Sequence, residues 1–273
     1  MMIHPNFNPV ALDLGFVKIH WYGIMYLLGF AAAWLLARKR CRQDWSPINK
    51  AQIEDLIVYC AFGVIIGGRL GYVLFYNMGT WLDDPVYLFR IWEGGMSFHG
   101  GMLGVVGAIW VYSRRIKTSF WKLGDFVVPL VPIGLGLGRL GNFIGQELWG
   151  RETEGWWGMK FPNDPDFLLR HPSQLYEFFL EGVVLFTVLF WFSRRQRPTG
   201  TIAGLFLLLY GLFRFAVEFA REPDSHLKDE LLFGWMTRGQ TLCLPMIAVG
   251  IILIIWACWA HRRQAAVAEG SKA

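Results

Sequence analysis

Apolar and polar positions in this chain fall into long blocks. Seven apolar runs, at residues 21–37, 53–76, 96–112, 125–149, 173–192, 200–219 and 240–260, are separated by shorter polar stretches. A helix needs roughly 20 apolar residues to cross a bilayer, so each run predicts a membrane span. The expected fold is an all-α polytopic membrane protein with seven transmembrane helices. One integral-membrane domain is expected over residues 1–273, with the outer loops forming a small cap.

The placement of charge orients these spans. Fifteen Lys and Arg residues lie in the stretches 38–50, 113–122, 193–197 and beyond 260, against eight in the alternate stretches 1–20, 77–95, 150–172 and 220–239. Basic loops stay on the cytoplasmic side, so the N-terminus is expected outside and the C-terminus inside. Residues 1–20 have no basic leading region and are not expected to be a cleavable signal peptide. The net charge of +5 then follows from topology, and no nucleic-acid partner is expected. Charged residues make up 17% of the chain, below the roughly 25% usual in soluble domains. The four cysteines (Cys41, Cys60, Cys243, Cys258) form no CxxC pair and have no histidine at ligand spacing, so neither a disulfide framework nor a metal site is expected.

Three basic residues, Arg69, Arg139 and Arg214, fall inside spans. Each comes about 14–17 residues after its span begins on the cytoplasmic side, which puts it roughly 20–25 Å up, in the outer half of the bilayer. Other polar groups converge on that depth. Tyr22 and Tyr26 sit i,i+4 in the first span, and His99 opens the third in GGMSFHGG. Asn142, Gln146 and Glu147 follow Arg139 at i+3, i+7 and i+8, so a continuous helix would present all four on one broad face. Gln174, Tyr176, Glu177 and Glu181 open the fifth span, and Glu218 is i+4 from Arg214.

Charges within a span are expensive and point to a functional cavity. Guanidinium forks suit an anionic headgroup, and a neutral imidazole can take a proton from a nucleophile. No Ser-His-Asp order and no HExxH is present, so no covalent nucleophile, metal or cofactor is expected. Plainer roles stay open for the same residues. Arg69 can bond backbone carbonyls or a carboxylate, Arg139 can pair with an acid to lock helices, and Arg214 and Glu218 can form a structural pair. Tyr22 and Tyr26 fit an aromatic belt, and Glu177 and Glu181 fit hydrogen bonding within the bundle. An outer-leaflet phospholipid carrier or transporter is the alternative function. It would ordinarily show polar groups through both halves of the membrane.

The strings HWYGIMYLLGF, GGRLGYVLFYN, GGMSFHGG, GLGRLGNFIGQELWGR, RHPSQLYE and YGLFRFAVEFAREPD resemble, in order, successive blocks of the prolipoprotein diacylglyceryl transferases. The resemblance covers nearly the whole chain. It implies an enzyme of the bacterial cytoplasmic (inner) membrane with its site facing the outer leaflet. Its partners would be phosphatidylglycerol and the lipobox of a prolipoprotein signal peptide. The diacylglyceryl group would pass to the lipobox cysteine thiol, with release of glycerol 1-phosphate. At matching positions the resemblance marks Tyr22, His99, Arg139, Asn142, Glu147, Gly150, Arg214 and Glu218 as functional, with Tyr26 a further candidate substrate contact. Arg139 and Arg214 would hold the phosphate, His99 would take the thiol proton or orient the group that does, and Asn142 and Glu147 would place the glycerol headgroup. Glu218 would hold Arg214. One block departs from its relatives: the usual NFINGE reads NFIGQE here, at residues 142–147.

Overall fold

The computed structural model describes residues 2–222 and 233–270. The loop 220–239 was expected to join the cap, and its residues 223–232 lie outside the described residues. In chain order the strands are β1 (Met2–Ile3), β2 (Val10–Asp13), β3 (Lys18–His20), β4 (Met159–Lys160) and β5 (Leu169–Arg170). The helices are α1 (Trp21–Arg40), α2 (Lys50–Tyr76), α3 (Met78–Asp83), α4 (Phe98–Arg115), α5 (Phe120–Val127) and α6 (Val131–Ile144). They continue with α7 (Ser173–Glu177), α8 (Leu185–Phe192), α9 (Thr201–Val217) and α10 (Arg238–Gly270). A π-helical segment, Phe178–Val184, joins α7 to α8.

This is a helical membrane protein. Trp21–Arg40, Lys50–Tyr76, Phe120–Ile144, Ser173–Phe192 and Arg238–Gln264 are each long and apolar enough to cross a bilayer, and Thr201–Val217 is a shorter apolar helix. The remaining expected span, 96–112, falls on the 18-residue helix α4. The expected span 125–149 differs at both ends. Helix begins at Phe120, and it stops at Ile144, five residues before the apolar run ends.

The chain divides into two compact units, residues 37–126 and residues 1–36 with 127–273. In the first, α2 starts at a capping box in which the Asn49 side chain accepts from Gln52 N–H and the Gln52 side chain accepts from Asn49 N–H. The helices α2 and α4 pack through glycines. A Cβ on Gly67 would lie 2.3 Å from Gly100 O, so only glycine permits this approach. Arg69 is buried and donates to the carbonyls of Tyr87, Leu88 and Gly94, with its guanidinium over the Tyr87 ring. It ties the loop that follows α3 to α2, the plainer of the roles its position allowed.

In the second unit, Leu185, Leu189, Ile202 and Tyr210 form a buried cluster against which Leu135, Phe213 and Met246 pack. Above the helices lies a small sheet in the order β1-β4-β5, with β1 parallel to β4 and β4 antiparallel to β5. It joins the segment ahead of α1 to the loop that follows α6. His4 is buried between the rings of Phe143 and Phe161, and the Asp164 carboxylate accepts from the Arg170 guanidinium and from the Leu168 and Asp166 amides. Strands β2 and β3 form an antiparallel hairpin leading directly into α1.

Candidate active site

The second unit brings its two intramembrane arginines onto one carboxylate. Arg139 Nε lies 2.6 Å from Glu177 Oε2, and Arg214 Nη1 lies 2.7 Å from Glu177 Oε1. Arg214 Nη2 also lies 2.8 Å from Glu218 Oε2, whose partner oxygen Oε1 accepts from Thr237 Oγ1 at 3.0 Å. The helices α6, α7 and α9 each contribute one member, and Thr237 precedes α10. Glu181 is fully buried one turn beyond Glu177. Its Oε2 is 3.8 Å from Arg139 Nη2, and neither of its oxygens is hydrogen-bonded among the described residues.

Two guanidiniums thus face three carboxylates in an apolar bundle. Charge-assisted bonds of this kind are strong, and a buried cation that loses its partner is costly. Arg139 keeps 16% of its side chain exposed and Arg214 12%, and each fork has more N–H donors than Glu177 can use. An arriving phosphate can therefore share these cations with the protein. The acid pairing anticipated for Arg139 and the Arg214–Glu218 pair are both present. Glu177 as the common hub escaped the sequence, because its role depends on three helices converging. The signal available was two acids at i,i+4 in the same outer half as the arginines.

The end of α6 corrects one expectation. Arg139, Asn142, Gln146 and Glu147 do not share a helix face, because the helix ends before the last two. Gly145 N–H donates to Gly141 O, Gln146 N–H to Phe143 O and Glu147 N–H to Asn142 O at 2.9 Å. These last two bonds, with Gln146 at φ +54°, form a Schellman C-cap. In such a cap the residue after the left-handed one folds back over the last turn. Here that return sets Glu147 beside Asn142, whose Nδ2 lies 3.5 Å from Glu147 Oε2. Asn142 is buried and Glu147 exposed, so the pair presents one carboxylate at the end of the helix.

Tyr22 rests on Gly141, next to Asn142, and its hydroxyl is 3.1 Å from that of Tyr26. Gly150 lies where three segments meet. Its N–H donates to His171 O, the following Arg151 N–H donates to Ala220 O, and a Cβ on Gly150 would fall 2.3 Å from Ala220 O. Burial lowers the pKa of His171, whose Nδ1 is 3.2 Å from Tyr176 Oη. Gln174 Nε2 donates to Glu147 O at 2.7 Å, which ties the start of α7 to the same turn. His99 belongs to the other unit. It stands exposed on the first turn of α4, behind the N-cap Ser97, with its ring edge-on to Phe98. Among the described residues no cluster of three or more His, Cys, Asp or Glu side chains is placed to hold a metal.

The sequence profile described as "Prolipoprotein diacylglyceryl transferase" matches residues 9–256. Among similar proteins, the phosphatidylglycerol–prolipoprotein diacylglyceryl transferase of Teredinibacter turnerae is 54% identical over 286 residues, covering 100% of this chain and 99% of its own. The protein of the same name from Pseudomonas aeruginosa is 53% identical, covering 97% of this chain and 98% of its own. That of Azotobacter vinelandii is 53% identical, covering 98% and 100%. With matches spanning both the helices and the blocks that build the site, this chain belongs to the prolipoprotein diacylglyceryl transferase family.

Proposed function

We propose that this protein transfers the diacylglyceryl group of phosphatidylglycerol to the thiol of a lipobox cysteine in a prolipoprotein. A C–S bond forms at the glyceryl carbon, the C–O bond to phosphate breaks, and the electron pair leaves on glycerol 1-phosphate. The thiol proton goes to a protein base or to the departing phosphate. The observation that carries the assignment to this site is the meeting of Arg139 and Arg214 on Glu177. These are two fixed cations in an apolar bundle, at a depth that a lipid phosphate can reach laterally. They bind the phosphate and stabilise the charge that grows on it as the C–O bond breaks. Glu218 holds Arg214, while Asn142, Glu147, Tyr22 and Tyr26 line the headgroup. Gly150 keeps three segments close enough for the site to close. His99 takes the thiol proton or orients the group that does, an assignment resting on its sequence block alone.

The same proposal includes seven spans in one transferase domain, with the N-terminus outside and the C-terminus in the cytoplasm. The site then faces the outer leaflet of the bacterial inner membrane, where the lipobox emerges. The charge asymmetry of the loops supports this orientation.

The test uses purified full-length protein in detergent with phosphatidylglycerol and a lipobox peptide bearing a free cysteine. Glycerol phosphate release and a diacylglyceryl mass increment on the peptide should appear in equal amounts, and both should vanish in Arg139→Ala. Release without peptide modification would make the protein a lipase. Lipid binding without any reaction would make it a carrier.

A further inference from the structure

The turn that carries Glu147 is built around a residue in an awkward conformation. Gln146 has φ +54° and Leu148 φ +57°, so the two neighbours of Glu147 both occupy the left-handed region that L side chains rarely adopt. The left-handed position of a Schellman cap is ordinarily glycine. Here the glycine comes one residue early, at Gly145, which sits at φ −75° and has no need of it. A non-glycine residue persists in such a conformation when its surroundings over-determine it.

The surroundings of Gln146 do so through its side chain. It is 3% exposed. Its Nε2 donates to Asn6 Oδ1 at 2.9 Å, and its Oε1 accepts from Asn163 N–H at 3.0 Å. Asn6 lies in the segment ahead of α1, and Asn163 in the cap loop between β4 and β5. A primary amide is the side chain suited to this place, since it offers a donor and an acceptor at once. An aspartate or glutamate would lack the donor.

We infer that Gln146 is a positioning residue for headgroup recognition, a two-ended amide clamp that holds the left-handed turn and so fixes Glu147 against Asn142. The inference rests on the proposed contact of Glu147 with the lipid headgroup. The clamp touches no substrate and acts through the backbone it holds. Alanine at 146 would keep the unfavourable conformation and lose both bonds, so the turn would relax and carry Glu147 away. Glycine would also lose both bonds, but would adopt the left-handed conformation at no steric cost. The order of effects is therefore opposite to that of a packing role, in which glycine leaves the larger void and is the worse substitution.

Steady-state kinetics on Gln146→Ala, Gln146→Gly, Glu147→Gln and the double variant Gln146→Ala/Glu147→Gln provide the test, with thermal unfolding measured alongside. Gln146→Ala should raise KM for phosphatidylglycerol about tenfold, with kcat and the peptide KM within about twofold of the parent. Gln146→Gly should stay within about twofold in all three parameters. In the Glu147→Gln background the alanine substitution should add nothing further to the lipid KM. If Glu147→Gln itself leaves the lipid KM unchanged, the headgroup contact is wrong and the clamp has nothing to position. If Glu147→Gln raises KM but Gln146→Ala does not, the contact stands and the clamp is wrong. A glycine variant worse than alanine, or parallel losses in both KM values and in melting temperature, would make Gln146 a packing residue and overturn the inference.

Discussion

Glu177 is the residue on which the site's electrostatics turn. Its two oxygens are each committed to a different guanidinium, at 2.6 and 2.7 Å, one from α6 and one from α9. Glutamine in its place keeps the shape but can neutralise neither cation. Breaking a buried ion pair from one side ordinarily costs about 3–5 kcal/mol, and here Arg214 would keep Glu218 while Arg139 would keep only the 3.8 Å approach to Glu181. Glu177→Gln should therefore lower the melting temperature of the detergent-solubilised protein markedly and abolish transfer. Glu181 is the internal control, one turn away and fully buried, 3.8 Å from Arg139 and with neither oxygen hydrogen-bonded among the described residues. Its amide removes the cost of burying a carboxylate and gives up only the long 3.8 Å approach to Arg139, so Glu181→Gln should cost far less than Glu177→Gln. Paired melting curves decide the matter, and equal losses in the two variants would contradict this division of roles. Such a hub cannot be read from the sequence. Arg139, Arg214 and Glu218 were legible there because a charge within an apolar run is conspicuous by itself. Glu177 sits at the start of a span, where an acid is ordinary, and only the convergence of three helices gives it two partners.

At the scale of elements, what was legible and what was not separates along similar lines. The helices announced themselves through unbroken apolar runs, and the expected start and end of the fifth span, 173–192, coincide with Ser173 and Phe192. The end of α6 was hidden because Asn142, Gln146 and Glu147 keep a helical spacing from Arg139 and Leu148-Trp149 extends the apolar run, and nothing in residue type marks Gln146 and Leu148 as left-handed. The cap's strands were hidden for another reason. Strand β1 pairs with β4 across more than 150 residues, and two-residue strands have no periodicity to detect. What secures so short a sheet is its set of buried side chains, and these make it sensitive to acid. Burial holds the pKa of His4 and of His171 below the ordinary histidine value. For Asp164, burial acts upward but is outweighed by the Arg170 hydrogen bond and two backbone amides, so its pKa lies below the ordinary carboxylate value. All three shifts have the same sign, because each group binds its proton more weakly in the folded protein. Their stabilisation is therefore complete at high pH. The histidine share is lost as pH falls below about 6.5, and the aspartate share as it falls below about 4. Amide hydrogen exchange across residues 158–170, corrected for intrinsic rates, should show protection falling between pH 7.5 and 5. His4→Phe keeps a ring between Phe143 and Phe161, so it should remove part of that slope. A protection profile indifferent to pH over this range would show that these groups do not control the cap.

For the whole molecule, the strongest commitment is its direction in the membrane. Within the second unit the ion network and the cap lie at the same end of the bundle. Arg139 is five residues, about 8 Å, below the end of α6. Glu177 closes the short helix that begins just after β5, and Arg214 sits in the last turn of α9. The opposite ends of α8 and α9 meet at the basic stretch of Arg194, Arg195 and Arg197. Hydrocarbon excludes an exchange of these ends once the protein is inserted, so orienting one loop orients the whole unit. The surplus of basic residues, fifteen against eight, supports the proposal that the arginine-rich loop is cytoplasmic. On the proposed topology the network and cap face the outer leaflet, where a translocated lipobox would meet phosphatidylglycerol. Two exposed positions test this directly. In a variant with its native cysteines replaced by serine, Asn8→Cys should react with a membrane-impermeant maleimide in intact spheroplasts. Gln196→Cys, beside the basic cluster, should react only after the membrane is permeabilised. The reverse pattern would place both arginines near the inner leaflet, and a lipid phosphate could then reach them only from the cytoplasmic side. A thiol on a translocated peptide could not. The labelling result therefore bears on the chemistry as much as on the topology, since donor and acceptor must meet on one side of the membrane for a C–S bond to form.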